Sequence, residues 1–312
     1  MTLYAAMGAL AQGLGYGLLA LGVYLTFRVL DFPDLTVDGS FPLGAAVSAV
    51  LIIKGVNPFM TLPVAFAAGM AAGFVTAFLA TKLNILNLLA SILTMIALYS
   101  INIRIMGKPN IALMNKPTVF DTFDGIVAFF ETLSVPAVLA VKVVFFLVVI
   151  IVVKICLDLY LRTEEGLALR ATGDNENMIR AQGVNTHSTI MLGVALSNGL
   201  VALCGALMAQ HLGSADVNMG VGMIVAGLAS VIVGEAVIGE MTVFRATLGV
   251  IIGSVIYRFA IAFALSLRIG KLQISPSDLK LITAVLVVIA LTLPVVRDKV
   301  KVGIVRNGRG GE

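Results

Sequence analysis

Charge is scarce in this sequence. Only 12% of its residues are Asp, Glu, Lys or Arg, while 59% are hydrophobic and the mean hydropathy is +1.05. A soluble domain carries about 25% charged residues, so this supply is too small to cover a water-facing surface. Trp is absent, and any aromatic belt at a membrane boundary must rely on Tyr and Phe. The two cysteines, Cys156 and Cys204, lie in apolar stretches without C-x-x-C spacing or a neighbouring histidine, as packing residues would. There is no H-E-x-x-H, no spaced Cys/His cluster, no G-x-S-x-G elbow and no G-x-x-x-x-G-K-[ST] phosphate loop. The chain is therefore expected to have no catalytic site, metal or cofactor of its own, and uphill transport would draw on a partner or an ion gradient. The net charge of +4 is modest and concentrated toward the C-terminus. Beside a membrane, such a tail reports orientation rather than nucleic-acid binding.

Long uncharged runs fill the space that charge leaves. Residues 1–27, 55–81, 83–103, 188–210 and 217–234 each reach or exceed the roughly 18 apolar residues that suggest a spanning helix. Backbone polar groups in hydrocarbon need internal partners, which leaves helices or a closed barrel. Uninterrupted runs lack the alternation of a barrel. The expected fold is thus an all-α polytopic membrane protein with about nine transmembrane helices (range eight to ten), some of them discontinuous. They are placed at 4–27, 37–53, 58–81, 84–104, 136–158, 188–210, 217–235, 244–266 and 279–296. The first run has no basic region before it and no clear cleavage site after it, so it reads as a retained helix.

The two most charged segments, 154–187 and 297–312, are separated by four spans and so share a side. With both in the cytoplasm, twelve Lys/Arg fall inside and eight outside, with Arg258 left within a helix. The N-terminus is then outside and the C-terminus cytoplasmic, at the end of a basic tail, 297–312. One transmembrane domain occupies residues 1–312, and its largest extramembrane pieces are 105–135 and 159–187. The first holds Phe120, Ile126, Val127, Phe129 and Phe130 among acids, and reads either as a short amphipathic surface helix or as a covering loop.

The segment Arg162–Asn185 is too polar to cross a membrane and too patterned for a linker. Gly166–Ala171 could form a helical turn. Asp174 is placed to cap a second helix with Glu176 in its first turn, Arg180 in its last and Gly183 at its end. Such a helix suits docking on a soluble motor, or is a plain surface helix. In Asp31–Ser40, Pro33 forbids a continuous helix, and Asp31, Asp34 and Asp38 cannot face lipid. Asp38 or Thr36 could cap the helix that follows. The stretch is either a cytoplasmic turn or a break in which Thr36, Asp38 and Ser40 border a translocation path. Glu235 and Glu240, in a Gly-flanked acidic break of the C-terminal half, resemble this stretch. Arg258 stands alone in its helix, where snorkelling outward, pairing with an acid or lining a vestibule are the alternatives.

The pattern R-T-x-x-G-x-A-L-R-A-x-G-D-N-x-x-M-x-x-x-x-G-V-N from Arg162 resembles the coupling loop of ABC-importer permeases of the branched-chain amino-acid and ribose type. The likeness continues through G-L-V-A-L-C-G-A-L-M-A at 199–209, V-I-V-G-E-A-V-I-G at 231–239 and L-G-V-I-I-G at 248–253. At Val233 the family usually has the first Gly of a pair. The D-L-T-V-D-G-S stretch at 34–40 resembles a subgroup described as tryptophan/tyrosine-type permeases. The resemblance, which covers about 280 residues, implies a membrane subunit of an ATP-driven importer in a bacterial inner membrane. It would carry a small polar solute, an amino acid (aromatic or branched-chain) first and a nucleoside or sugar second. Two ATP-binding subunits would hold ATP and Mg, with an extracytoplasmic solute-binding protein above and a second permease copy alongside. On this reading Gly166, Leu167, Leu169, Arg170, Asp174, Met178, Arg180 and Gly183 form the ATPase-coupling segment. Leu167, Leu169 and Met178 would fill the motor's cleft. The rival reading, a secondary transporter or channel, would need acids deep within the spans.

Overall fold

A computed structural model of the chain describes residues 3–123, 137–239 and 242–266, with strand pieces at 268–269 and 272–273 and single helical residues at 288 and 292. The expected ninth span, the basic tail and the proposed outer helix around 126–131 lie outside the described residues. So does Glu240.

Ten helices are described. They are α1 (Leu3–Tyr24), α2 (Val37–Ile53), α3 (Pro58–Lys82), α4 (Asn87–Met106), α5 (Ala137–Tyr160), α6 (Glu164–Asp174), α7 (Glu176–Ala181), α8 (Thr186–Leu212), α9 (Met223–Ile238) and α10 (Val243–Ser266). Six of the described helices are long and apolar enough to cross a membrane, and α2 and α9 are shorter apolar helices. The first eight expected spans each correspond to one helix. Their ends are set by local chemistry. Asn57 accepts a hydrogen bond from the Phe59 backbone N–H at 2.9 Å, with Pro58 in the first turn where it loses no bond. Gly107 and Gly213 close α4 and α8 in the left-handed conformation.

Two short strands, β1 (Asn110–Ala112) and β2 (Ser214–Asp216), pair antiparallel beyond the ends of α4 and α8. They mark one end of the bundle, here the β end, and α6 and α7 mark the other. Loop residues Val119 and Phe120 are buried in the main core. Phe120 is therefore packed inward, against Phe146 and His211, rather than on a surface helix.

Helix α8 is central. Of its most apolar window 72% is buried, against 28% for α4, whose large side chains are left for lipid. Its small residues allow backbones to touch. A Cβ at Gly205 would strike the Phe41 carbonyl of α2, and one at Gly44 would strike the Ala202 backbone of α8. In lipid, where water does not drive helices together, such close packing supplies much of the association.

Four elements depart from expectation. The span placed at 217–235 begins only at Met223, because Asp216 turns the chain by accepting the Asn218 N–H at 2.7 Å and Gly222 adopts φ +84°. Helix α1 ends in a π-helical turn, Leu25–Val29, before Asp31 (φ 51°) and Pro33 reverse the chain. The second coupling helix is capped not by Asp174, which ends α6, but by Asn175, whose side chain accepts the Met178 N–H at 3.0 Å. The turn expected at Gly166–Ala171 is the middle of the longer helix α6, capped by Thr163.

Candidate coupling and translocation site

Helix α6 is pinned to the bundle by its small and apolar face. Thr163 Oγ1 accepts the Gly166 N–H at 3.3 Å, and Glu164 and Glu165 occupy the first turn, where the helix dipole favours acids. Gly166 lies against the Tyr160 carbonyl and Leu161, and Gly173 against Val29 and Leu30. Leu169 is fully buried beside Leu30 and Gly193. It therefore anchors the helix and is not free to enter a partner's cleft, contrary to the expectation for it. Leu167 and Met178, at 51% and 48% exposure, are the apolar side chains that do project outward.

Arg170, Asp174, Arg180 and Gly183 are exposed as well, and Gly183 has φ +90° at the end of α7. Arg180 pairs with Glu176, and both contact Thr186 Oγ1 at 3.0 Å, joining α7 to the start of α8.

Behind α6 opens a groove of about 860 Å³ lined by Arg28, Asp31, Leu167, Arg170, Asp174 and Glu235, among others. Glu235 on α9 forms an ion pair with Arg28 at 2.9 Å across it. The fold thus brings Glu235 to the same groove as three of the coupling residues, a neighbourhood their sequence separation conceals. Thr36, Asp38 and Ser40 are elsewhere.

Beyond Asp31, which lines the groove, the break runs into the bundle. Asp34 is fully buried; its carboxylate accepts the Thr36 N–H at 2.9 Å and the Asn198 side-chain N–H at 2.6 Å. Asn198 is twelve residues into α8, roughly 18 Å along its axis. Ser40 donates to Asn198 Oδ1 at 2.7 Å, and the Thr36 and Thr76 hydroxyls share a 2.9 Å hydrogen bond. Thr36 and Ser40 are fully buried and bonded to neighbouring helices. Asp38 does not cap its own helix. Its two oxygens accept the Gly222 and Ile224 N–H groups, each at 2.9 Å, at the start of α9. A carboxylate from one helix thus satisfies the exposed donors, and meets the positive dipole end, of a helix that begins inside the bundle.

Sequence reasoning named Asp34 but not its partner Asn198, an amide within an apolar run. It also missed the Lys154–Asp158–Thr247 tie. Lys154, assigned to the polar side, is buried in α5 and bonded to Asp158, which accepts the Thr247 hydroxyl of α10 at 2.7 Å. The Lys154 ammonium lies 3.7 Å from the centre of the Phe244 ring. Arg258 does not snorkel outward; its guanidinium sits 3.5 Å from the centre of the buried Tyr16 ring, which stacks on Phe41. Among the described residues no cluster of His, Cys, Asp or Glu could hold a metal ion.

Comparison with known proteins gives a consistent picture. The family model described as "Branched-chain amino acid transport system / permease component" matches residues 5–292. A tyrosine transport system permease protein of Clostridioides difficile (strain R20291) is 44% identical over 282 residues, which is 90% of this chain and 88% of that protein. An uncharacterized protein of Rickettsia prowazekii (strain Madrid E) is 35% identical over 91% of this chain and 95% of its own. A galactofuranose transporter permease protein of Escherichia coli (strain K12) is 26% identical over 64% of this chain and 55% of its own.

Proposed function

The chain belongs to the branched-chain amino acid transport system permease family, and from that premise we propose that it is the permease of an ATP-driven importer whose solute is an amino acid, aromatic in the first instance. The substrate class draws on the 44% identity to a tyrosine transport permease. As an ABC-transporter permease, the chain works with ATPase subunits, and those bind the ATP and Mg.

The observation that carries the coupling role is the build of α6 and α7. Leu169, Gly166 and Gly173 hold the segment to the bundle, while Leu167, Arg170 and Met178 face outward. A segment that is firmly seated inside and presents both apolar and charged side chains outside can grip a partner and pass on a push. Docked in the motor, it transmits ATP-driven closure through the Gly173–Leu30 and Leu169–Gly193 contacts to the end of α1 and the start of α8. The groove crossed by Arg28 and Glu235 lies on that route and would open and close with it.

In this arrangement the α6 end faces the cytoplasm, the N-terminus lies outside and nine spans cross the bacterial inner membrane. A second permease copy completes the path, and an extracytoplasmic solute-binding protein delivers to the β end. Thr36, Asp38 and Ser40 act in this scheme by holding the path's helices in register, and Glu235 by bordering its cytoplasmic mouth.

The test is co-purification with the ATPase subunits and ATP turnover in lipid. Arg170→Glu and Met178→Asp are expected to leave the permease folded, since exposed substitutions change stability by only about 0.5 kcal/mol, yet to abolish assembly or coupled turnover. Wild-type assembly and turnover in both variants would refute the coupling role.

A further inference from the structure

At the β end, away from the groove, a second cavity of about 570 Å³ lies between α5, the end of α8 and the loop around Phe120. Its volume falls in the range of small-molecule sites. The wall is built rather than incidental. Gln210 of α8 donates to Ser48 and Thr61 at 3.1 and 3.3 Å, and its carbonyl oxygen accepts the Val119 N–H at 2.9 Å. These bonds hold the loop so that Phe120, the next residue, is inserted toward α5.

Four side chains then border the space with capacity to spare. The half-buried Lys142 ammonium lies 5.5 Å from the centre of the Phe120 ring, and among the described residues no carboxylate pairs with it. Asp121, exposed on the rim, is oriented by the Thr118 N–H and hydroxyl at 2.7 and 3.0 Å. The His211 imidazole sits edge-on to Phe120 and Phe146, with centroids 5.9 and 5.5 Å away, and makes no side-chain hydrogen bond among the described residues. An unsatisfied polar ring in an aromatic wall calls for an explanation. So does a cation within a helix of this apolarity.

One ligand chemistry answers all four. A zwitterionic amino acid presents a carboxylate to Lys142, an ammonium to Asp121 and a flat apolar ring to Phe120. A hydroxyl at the far end of that ring would reach a hydrogen-bonding group set among phenylalanines. We propose that this cavity is a binding site for a hydroxylated aromatic amino acid, with Lys142 taking the carboxylate and His211 the ring hydroxyl. The identification of the ligand rests on the amino-acid import reading above.

The chain has two histidines, so ¹⁵N-histidine labelling of the full-length permease in lipid nanodiscs separates His211 from His187, at the opposite end of α8. Titration with L-tyrosine is expected to shift the His211 signals and leave those of His187 in place. Tyramine, which lacks the carboxylate, and L-phenylalanine, which lacks the hydroxyl, are expected to bind at least about tenfold more weakly. Lys142→Gln should raise the half-saturating tyrosine concentration about ten- to hundredfold, the loss expected for one charge-assisted hydrogen bond. Lys142→Arg should restore most of it, which separates loss of charge from loss of fold.

The site is overturned if tyrosine leaves His211 unmoved, or if Lys142→Gln binds as the wild type does. ATP-driven uptake by the wild-type assembled transporter is measured in parallel. Tyrosine uptake with a silent His211 would sink the site and leave the import reading standing. A responsive His211 without uptake of any amino acid would do the reverse.

Discussion

Around Asp34 and Asp38 all four carboxylate oxygens accept a hydrogen bond, from Thr36, Asn198, Gly222 and Ile224. Across the groove at the α6 end, Asp31, Arg170 and Asp174 stand exposed, and in the Arg28–Glu235 pair the Arg28 side chain is 48% and that of Glu235 16% exposed. Both regions place acids beside apolar helices, but Asp34 is fully buried and Asp38 only partly exposed, whereas Asp31 and Asp174 stand in water. Where it is excluded, each oxygen must be matched by a donor, and the matching locks α2 to α8 and α9. Where water can replace a partner, breaking a pair costs little, and the elements that carry it are able to separate. The buried region is suited to holding helices in register, and the groove to opening.

The largest effect that would test this contrast is expected at Asn198. Replacing it with Leu removes one of the two donors to the Asp34 carboxylate and the acceptor of the Ser40 hydroxyl, and should destabilise the fold by about 2–3 kcal/mol, the range for a lost hydrogen bond to a buried charged group. Unfolding in SDS–detergent mixtures reads it directly. A loss below about 1 kcal/mol would mean that the buried network is not what holds α2 to α8. Next comes Asp38→Ala, which uncovers the start of α9. The expected loss is about 1–2 kcal/mol, as for other helix caps, with faster hydrogen exchange at the Gly222 and Ile224 amides. Asp38→Asn should recover part of it. The smallest change in stability is expected for Glu235→Gln, about 1 kcal/mol or less. The same variant should alter solute-stimulated ATP turnover in the assembled transporter. If it instead unfolds the protein as Asn198→Leu does, the two regions are not different in kind.

Much of the fold was legible because hydrophobic length is a local property. Eight runs of apolar residues became eight helices, and Pro58, Gly107 and Gly213 stand at their ends as their chemistry requires. The late start of α9 was not legible, since residues 217–222 continue the uncharged run and are held out of the helix by Gly222 and by Asp38 from α2. The candidate site was legible in outline. The pattern at 162–185 pointed to an exposed helix pair but could not tell Leu167, which faces out, from Leu169, which faces in. In an eleven-residue helix that difference depends on which face the rest of the bundle claims. The charges on α5 and α10 show the same limit. Lys154 and Arg258 look costly in sequence; Asp158 stands one turn from Lys154 on the same helix, but Phe244 beside Lys154 and Tyr16 beside Arg258 come only from other helices.

By itself, then, the scarcity of charge determined that this chain is a bundle of membrane helices, because hydrocarbon tolerates backbone only when it is bonded internally. The polar segment between α5 and α8 was bound to lie outside the bilayer, since charged side chains in that number cannot enter lipid. Only the tertiary structure decided which acids are locked into the bundle and which stand at the groove, which leucine anchors α6, and that Lys142, Phe120 and His211 meet around one cavity. Those outcomes depend on contacts between residues tens to hundreds of positions apart, such as Asp38 with Ile224, and the distance along the chain gives no sign of them.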